Sequence, residues 1–251
     1  MAVVVWLFAG GGHSELKLPL FLERHFPCRF ERKMPVRPRS PLPGPAGERR
    51  PLPKSGMGHT GKSLQNALPG RLQASLDHES PPALILVVDD LDCHDREEAE
   101  QALQKAVRLV PGAGDLPLVI AFAVPEIESW LLADWDHTFG KHTKFRASSE
   151  QMRHHLSETG KVHFAQPETF SVYDPEKDSC QEKLSEMIEE AYRDSHDRGH
   201  FSKADDTSAL LTMLDPHRVS GKCPQFRLFW SDLRRHCIPL PVLFRRDDDL
   251  P

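Results

Sequence analysis

Two runs of uninterrupted apolar residues constrain this chain most. Ala83-Leu-Ile-Leu-Val-Val88 follows Pro81-Pro82, and Leu116 to Val124 follows Pro111-Gly112. A strand with one wet face alternates apolar and polar residues. A strand apolar throughout must be covered on both faces, which is the habit of parallel sheets. Between the two runs lies a helical pattern, Arg96 to Val110, capped by Asp95 and apolar at Ala99, Ala102, Leu103, Ala106, Val107 and Val110. That period of 3.6 makes it an ordinary crossover helix. A third run, Val3 to Ala9, reads as the first strand. The expectation is an α/β fold: a Rossmann-like parallel sheet flanked by helices.

The rest of the chain is less regular. Ser14 is placed to cap a helix beginning near Glu15, and a short strand is expected at Cys28–Phe30. Nine prolines lie between residues 27 and 69, which makes that region an extended or looping insertion. Thr60 to Leu76 has a helical composition interrupted at Pro69-Gly70. Pro125 opens a helix over Glu126–Ala133. Beyond it, helices are expected at Ser148–Glu158, Asp178–Asp194, Asp205–Leu214 and Cys223–His236. The expected organisation is an α/β core over residues 1–135, with a basic insertion at about 29–71, and a mostly helical C-terminal extension over 136–251 packed on it.

The net charge of −5 hides a segregation. Residues 29–71 hold ten basic and two acidic residues, so that segment is +8 and the other 208 residues carry −13. Such an arm suits a polyanionic partner, DNA or RNA. Arg32, Lys33, Arg37, Arg39, Lys54, His59 and Lys62 are its candidate phosphate contacts. No stretch approaches the roughly 18–20 apolar residues of a membrane span. The N-terminal run lacks a basic leader and ends in glycines, so it reads as a strand and not a signal peptide. The five cysteines are scattered with no CxxC pair, so free thiols in a reducing cytoplasm are expected.

Open parallel sheets bind ligands at the carboxyl ends of their strands. All three apolar runs end in acid: Gly10-Gly-Gly-His-Ser-Glu15, Asp89-Asp90-Leu-Asp92 and Pro125-Glu126-Ile-Glu128. Carboxylates converging from three places need a cation, and oxygen ligands favour Mg²⁺ or Mn²⁺.

These motifs resemble the TOPRIM fold of topoisomerases, primases and overcoming-lysogenization-defect nucleases, with a Glu after the first strand and a DxD after a later one. They are most similar to a bacterial TOPRIM-like family related to RloB-like proteins, through Gly-Gly-Gly-His-Ser-Glu15, Val-Val-Asp-Asp90-Leu-Asp92 and Val-Pro-Glu126-Ile-Glu128-Ser-Trp130-Leu-Leu-Ala-Asp134. Weaker similarity continues into Phe201-Ser-Lys203 and Cys223-Pro-Gln-Phe226. The resemblance implies a divalent-metal nuclease, often in phage defence and beside an ABC/SMC-type ATPase. It implies Asp90 and Asp92 as direct metal ligands, Glu15 completing the shell or acting as general base, and Glu126 or Glu128 holding a second metal. Residues two apart on a helix point about 200° apart, which favours Glu128 over Glu126. Lys203 would steady the leaving phosphate. Relatives often read Glu-Gly-x-x-Glu after the first strand; here the first of those positions falls near Gly10 or Gly11, so which Glu serves as acid or base stays open.

Two alternatives accompany this reading. One is a non-catalytic module that binds nucleic acid or an ATPase. The other is a P-loop NTPase, since Gly56-Met-Gly-His-Thr-Gly61-Lys62-Ser63 matches that pattern. A P-loop must follow a buried strand and open a helix, and Glu48 to Ser55 upstream is no such strand.

Overall fold

The computed structural model describes residues 3–12, 15–34, 59–196 and 199–238. Four parallel strands form the sheet: β1 (Val3–Ala9), β2 (Cys28–Arg32), β3 (Leu84–Asp90) and β4 (Leu118–Ala123). Their spatial order is β2-β1-β3-β4. Val5 lies opposite Phe30 on one side and Leu84 on the other, and Ile85 opposite Leu118. The crossovers are α1 (Leu18–Glu23), α2 (Lys62–His78) and α3 (Arg96–Arg108). The expected α/β fold is therefore present, with its helical C-terminal extension.

Strand alternation divides the core in two. Leu7, Leu86, Val88 and Ala121 point to one face, where they join α1, α4 (Glu128–Ala133) and the C-terminal helices. Phe8, Ile85, Val87 and Phe122 point to the other, against Leu64, Leu68 and Leu72 of α2 and Leu103 and Val107 of α3. Each buried Leu or Phe stabilises the fold by roughly 1.5–3 kcal/mol relative to an exposed one.

The C-terminal half holds α5 (Ser149–Glu158), a small hairpin of β5 (Tyr173–Asp174) and β6 (Ser179–Cys180), α6 (Leu184–Ser195), α7 (Ser208–Leu211), α8 (Pro216–Lys222) and α9 (Pro224–Cys237). Its core merges with that of the sheet. Trp130 of α4 stacks on Phe229 and meets Phe226 edge-on, both from α9. Asp134 is buried and accepts the Asp215 N–H at 2.8 Å, joining the end of α4 to the start of α8.

Several local expectations change. The helix of α2 runs unbroken through Pro69. Its apolar positions at Leu64, Leu68 and Leu72 are all fully buried, so packing holds it where propensity alone would break it. The helix expected over Asp178–Asp194 starts only at Leu184, because Ser179 and Cys180 pair with Tyr173 and Asp174. Cys93 and Cys180 are not free thiols: they form a disulfide with Cα atoms 5.0 Å apart. A separation of 87 residues hid that pairing from the sequence. Cys28, Cys223 and Cys237 are free and buried. Among the described residues, no helix is long and apolar enough to cross a membrane.

Candidate acidic site

The chain moves outward from β1 to β2 on one side and then to β3 on the other, so the sheet order reverses between β1 and β3. Such a switch point opens a crevice at the strand carboxyl ends. There Glu15 follows β1, Asp90 ends β3, and Glu126 and Glu128 follow β4.

Glu15 is fully buried. Its Oε2 accepts the Gly11 N–H at 2.7 Å, while Oε1 has no hydrogen-bond partner. Burial pushes its pKa from an ordinary 4.5 to about 7, against the pull of the Arg32 guanidinium. Arg32 fixes this turn through the carbonyls of Glu15 (3.0 Å) and Gly12 (2.9 Å). Gly10 passes so close to its neighbours that a Cβ there would lie 2.6 Å from the His59 carbonyl oxygen and 2.7 Å from Asp89 Oδ1.

The other acids gather on one ammonium. Lys203 Nζ lies 2.7 Å from Glu126 Oε1, 3.3 Å from Glu128 Oε2 and 3.4 Å from Asp90 Oδ2. All three carboxylates are buried. Burial raises the pKa of Asp90 and Glu128, which the Lys203 charge only partly offsets. For Glu126 burial acts the same way, but Lys203 outweighs it and the net direction is down. Burial works against the Lys203 ammonium, yet the three carboxylates hold its pKa well above the usual lysine range. Asp90 Oδ1 accepts the Ile127 N–H at 2.9 Å, and Ser185 donates to Glu126 through its backbone and hydroxyl. Lys203 starts a π-type turn, Lys203–Thr207, a geometry frequent at functional sites. Thr207 at its end donates to Glu128 Oε1 at 2.8 Å.

Glu126 and Glu128 therefore both reach the cluster. The rotation expected to separate them applies within a helix, and α4 begins only at Glu128, leaving Glu126 in the preceding turn. Asp92 does not join them. The strand ends at Asp90, and Asp92 takes a left-handed conformation (φ 49°), pairing instead with Lys183 at 3.4 Å. Asp89 points to the opposite face, as a strand neighbour of Asp90 must. Its Oδ2 accepts the Gly61 N–H at 2.8 Å, and its buried Oδ1 has no hydrogen-bond partner. Burial and the Asp90 charge push its pKa well up. Asp89 lines a cavity of about 400 Å³ with Thr60, Lys62, Asp92 and His94.

The basic candidates separate. Arg32 spends its donors on backbone carbonyls inside the fold. Lys33 is nearly buried between Glu31 and Glu79, over the Trp6 ring. Lys62 is exposed and pairs with Asp178 at 2.7 Å; His59 Nδ1 meets Ser63 Oγ at 2.9 Å. Arg37, Arg39 and Lys54 lie outside the described residues, as do Gly56 to Gly58 of the P-loop pattern. Its remainder does open α2, but the Gly61 N–H is committed to Asp89 and the Lys62 ammonium to Asp178.

A family model described as a domain of unknown function, DUF4276, matches residues 45–234. The chain belongs to that family. No curated protein and no solved structure matches it. The DUF4276 span takes in Asp90, Glu126, Glu128 and Lys203 and begins after β1, so Glu15 and Arg32 lie outside it.

The donor set fits a hard divalent cation: carboxylate oxygens, with Glu15 Oε1 buried and lacking a hydrogen bond and Glu128 Oε2 buried against the Lys203 ammonium. In the present arrangement the Lys203 ammonium stands where the acids converge. Among the described residues, no three His, Cys, Asp or Glu side chains close to ligating distance. Sequence reasoning missed Asp89, Ser185 and Thr207. Only Asp89 carried a signal, as the acid preceding Asp90.

Proposed function

We propose that this DUF4276 protein hydrolyses phosphodiester bonds in nucleic acid with the help of Mg²⁺ or Mn²⁺. One observation carries the reading: three buried carboxylates from two strand ends share the Lys203 ammonium, and a fourth, Glu15, lies buried within electrostatic reach of Lys203 and Arg32. Buried like charges are costly until protons or a cation neutralise them. Asp90 and Glu128 are the residues that would hold the cation, with the Glu15 carboxyl beside them. When bound, it would supply an activated water and neutralise charge developing on the phosphate.

The chain's own groups account for the remaining work. Glu15, with a carboxyl poised near neutral pH, takes the proton of the attacking water. Ser185 and Thr207 hold Glu126 and Glu128 in place. Lys203, displaced from the acids when phosphate enters, donates to a phosphate oxygen. Lys62 and His59, on the outer rim, meet the polyanion.

The test is nicking of supercoiled plasmid and of end-labelled RNA with Mg²⁺ or Mn²⁺, with Asp90→Asn and Glu128→Gln as controls. Cleavage that needs the metal and is lost in both variants is expected. Cleavage by neither form, or cleavage surviving in both variants, overturns the reading. A second reading draws on Lys203 itself: an ammonium already pairing three carboxylates suits a non-catalytic module. Nucleic-acid binding without metal-dependent cleavage would favour it.

A further inference from the structure

Asp178, in the turn of the β5–β6 hairpin, lines the cavity that Asp89, Asp90 and Asp92 also line. It takes the Lys62 ammonium at 2.7 Å and the Tyr173 hydroxyl at 2.9 Å. Tyr173 packs on the His94 ring with centroids 5.2 Å apart. Just beyond the hairpin, Lys183 pairs with Asp92 and Ser185 donates to Glu126. The polar contacts from Asp178 and Lys183 are exposed or part-exposed, and ion pairs of that kind hold weakly. The covalent link is Cys93–Cys180, joining the loop that carries Asp92 directly to β6.

We propose that Cys93–Cys180 is a redox-modification site, exchanging with a dithiol reductant, that fastens the 173–183 strap over the cavity and releases it on reduction. Cys93 is part-exposed while Cys180 is buried, so attack falls on Cys93. A reductant thiolate bonds to Cys93 Sγ, the Cys93–Cys180 bond breaks, and Cys180 leaves as a thiolate that takes a proton. The second reductant thiol attacks the mixed disulfide and frees Cys93, which is protonated in turn. The reductant departs as a disulfide, having given two electrons and two protons. Released, the strap withdraws Asp178 from Lys62 and Lys183 from Asp92, opening the cavity to phosphate. Bond exchange and strap release stand apart from the proposed nuclease reading; only the gain in cleavage rests on it.

The experiment compares the full chain oxidised and after dithiothreitol, by mass after alkylation and by amide deuterium exchange. Two newly alkylated thiols, at Cys93 and Cys180, are expected. Exchange in 173–183 should speed up at least about tenfold while β3 stays protected. The paired variant Cys93→Ser with Cys180→Ser should show the reduced pattern with or without dithiothreitol. Reduced wild-type protein carries the test should that variant fail to fold. Two free thiols that never join in oxidised (disulfide-form) dithiothreitol overturn the proposal, as does exchange in 173–183 that ignores reduction. Metal-dependent nicking is then followed in both forms and should be several-fold faster when reduced. Nicking absent from both forms, with the exchange result intact, counts against the nuclease reading and not against the strap.

Discussion

Replacing Glu15 by Gln should stabilise the metal-free protein, and only above acidic pH. The side chain is fully buried, its Oε1 has no partner, and burial raises its pKa from 4.5 to about 7. In the unfolded chain it ionises near 4.5; in the folded chain it keeps its proton until about 7. Between those values the folded state binds more protons, so rising pH erodes stability across that window. At about 1.36 kcal/mol per unit, the full cost is about 3 kcal/mol, reached by pH 8. Gln keeps the size and the acceptor for the Gly11 N–H but never ionises. Urea unfolding at pH 4.5, 6 and 8, with a chelator present, should show variant and wild type similar at pH 4.5. By pH 8 the variant should lead by roughly 2–3 kcal/mol. A difference between variant and wild type that stays constant with pH would refute the reasoning, since it would mean Glu15 ionises alike in the folded and unfolded chain.

Further outcomes follow from the same contacts. Lys203→Met removes the ammonium shared by Asp90, Glu126 and Glu128 and should cost roughly 3–5 kcal/mol at pH 8, as for other broken buried pairs. The loss should shrink at pH 5, by thermal or urea melting, where protonation relieves the acids. Gly10→Ala puts a Cβ 2.6 Å from a backbone oxygen, so urea unfolding should show a loss of roughly 1–3 kcal/mol. Asp92→Asn should leave Mn²⁺ affinity within about threefold, because Asp92 pairs with Lys183 outside the cluster; a titration beside Asp90→Asn reads the contrast.

Much of the sheet was legible because its information is local. Continuous apolar runs marked β1, β3 and β4, and Asp95 does cap α3, accepting the Glu98 N–H at 2.9 Å. Acids at strand ends pointed to Glu15, Asp90, Glu126 and Glu128. What was not legible depends on contacts distant in sequence. The Phe201-Ser-Lys203 similarity pointed to Lys203, but not to its pairing with Asp90, 113 residues away, nor to the π-type turn that delivers it. Asp92 drops out because it and Cys93 are both left-handed and turn the chain away from the cluster. Arg32 counted as a basic-arm residue, yet a strand edge beside the β1–α1 turn gives its guanidinium carbonyls to hold. The disulfide and the late start of α6 share one cause, the pairing of β5 with β6.

Whether the acid cluster takes a divalent cation is read by calorimetric titration of Mn²⁺ into the full chain at pH 8. Saturable binding is expected, weakening at least about tenfold in Asp90→Asn and in Glu128→Gln, and weakening in the wild type as pH falls through 7 and Glu15 takes up its proton. No binding, or binding that those substitutions leave unchanged, would contradict a cation site there.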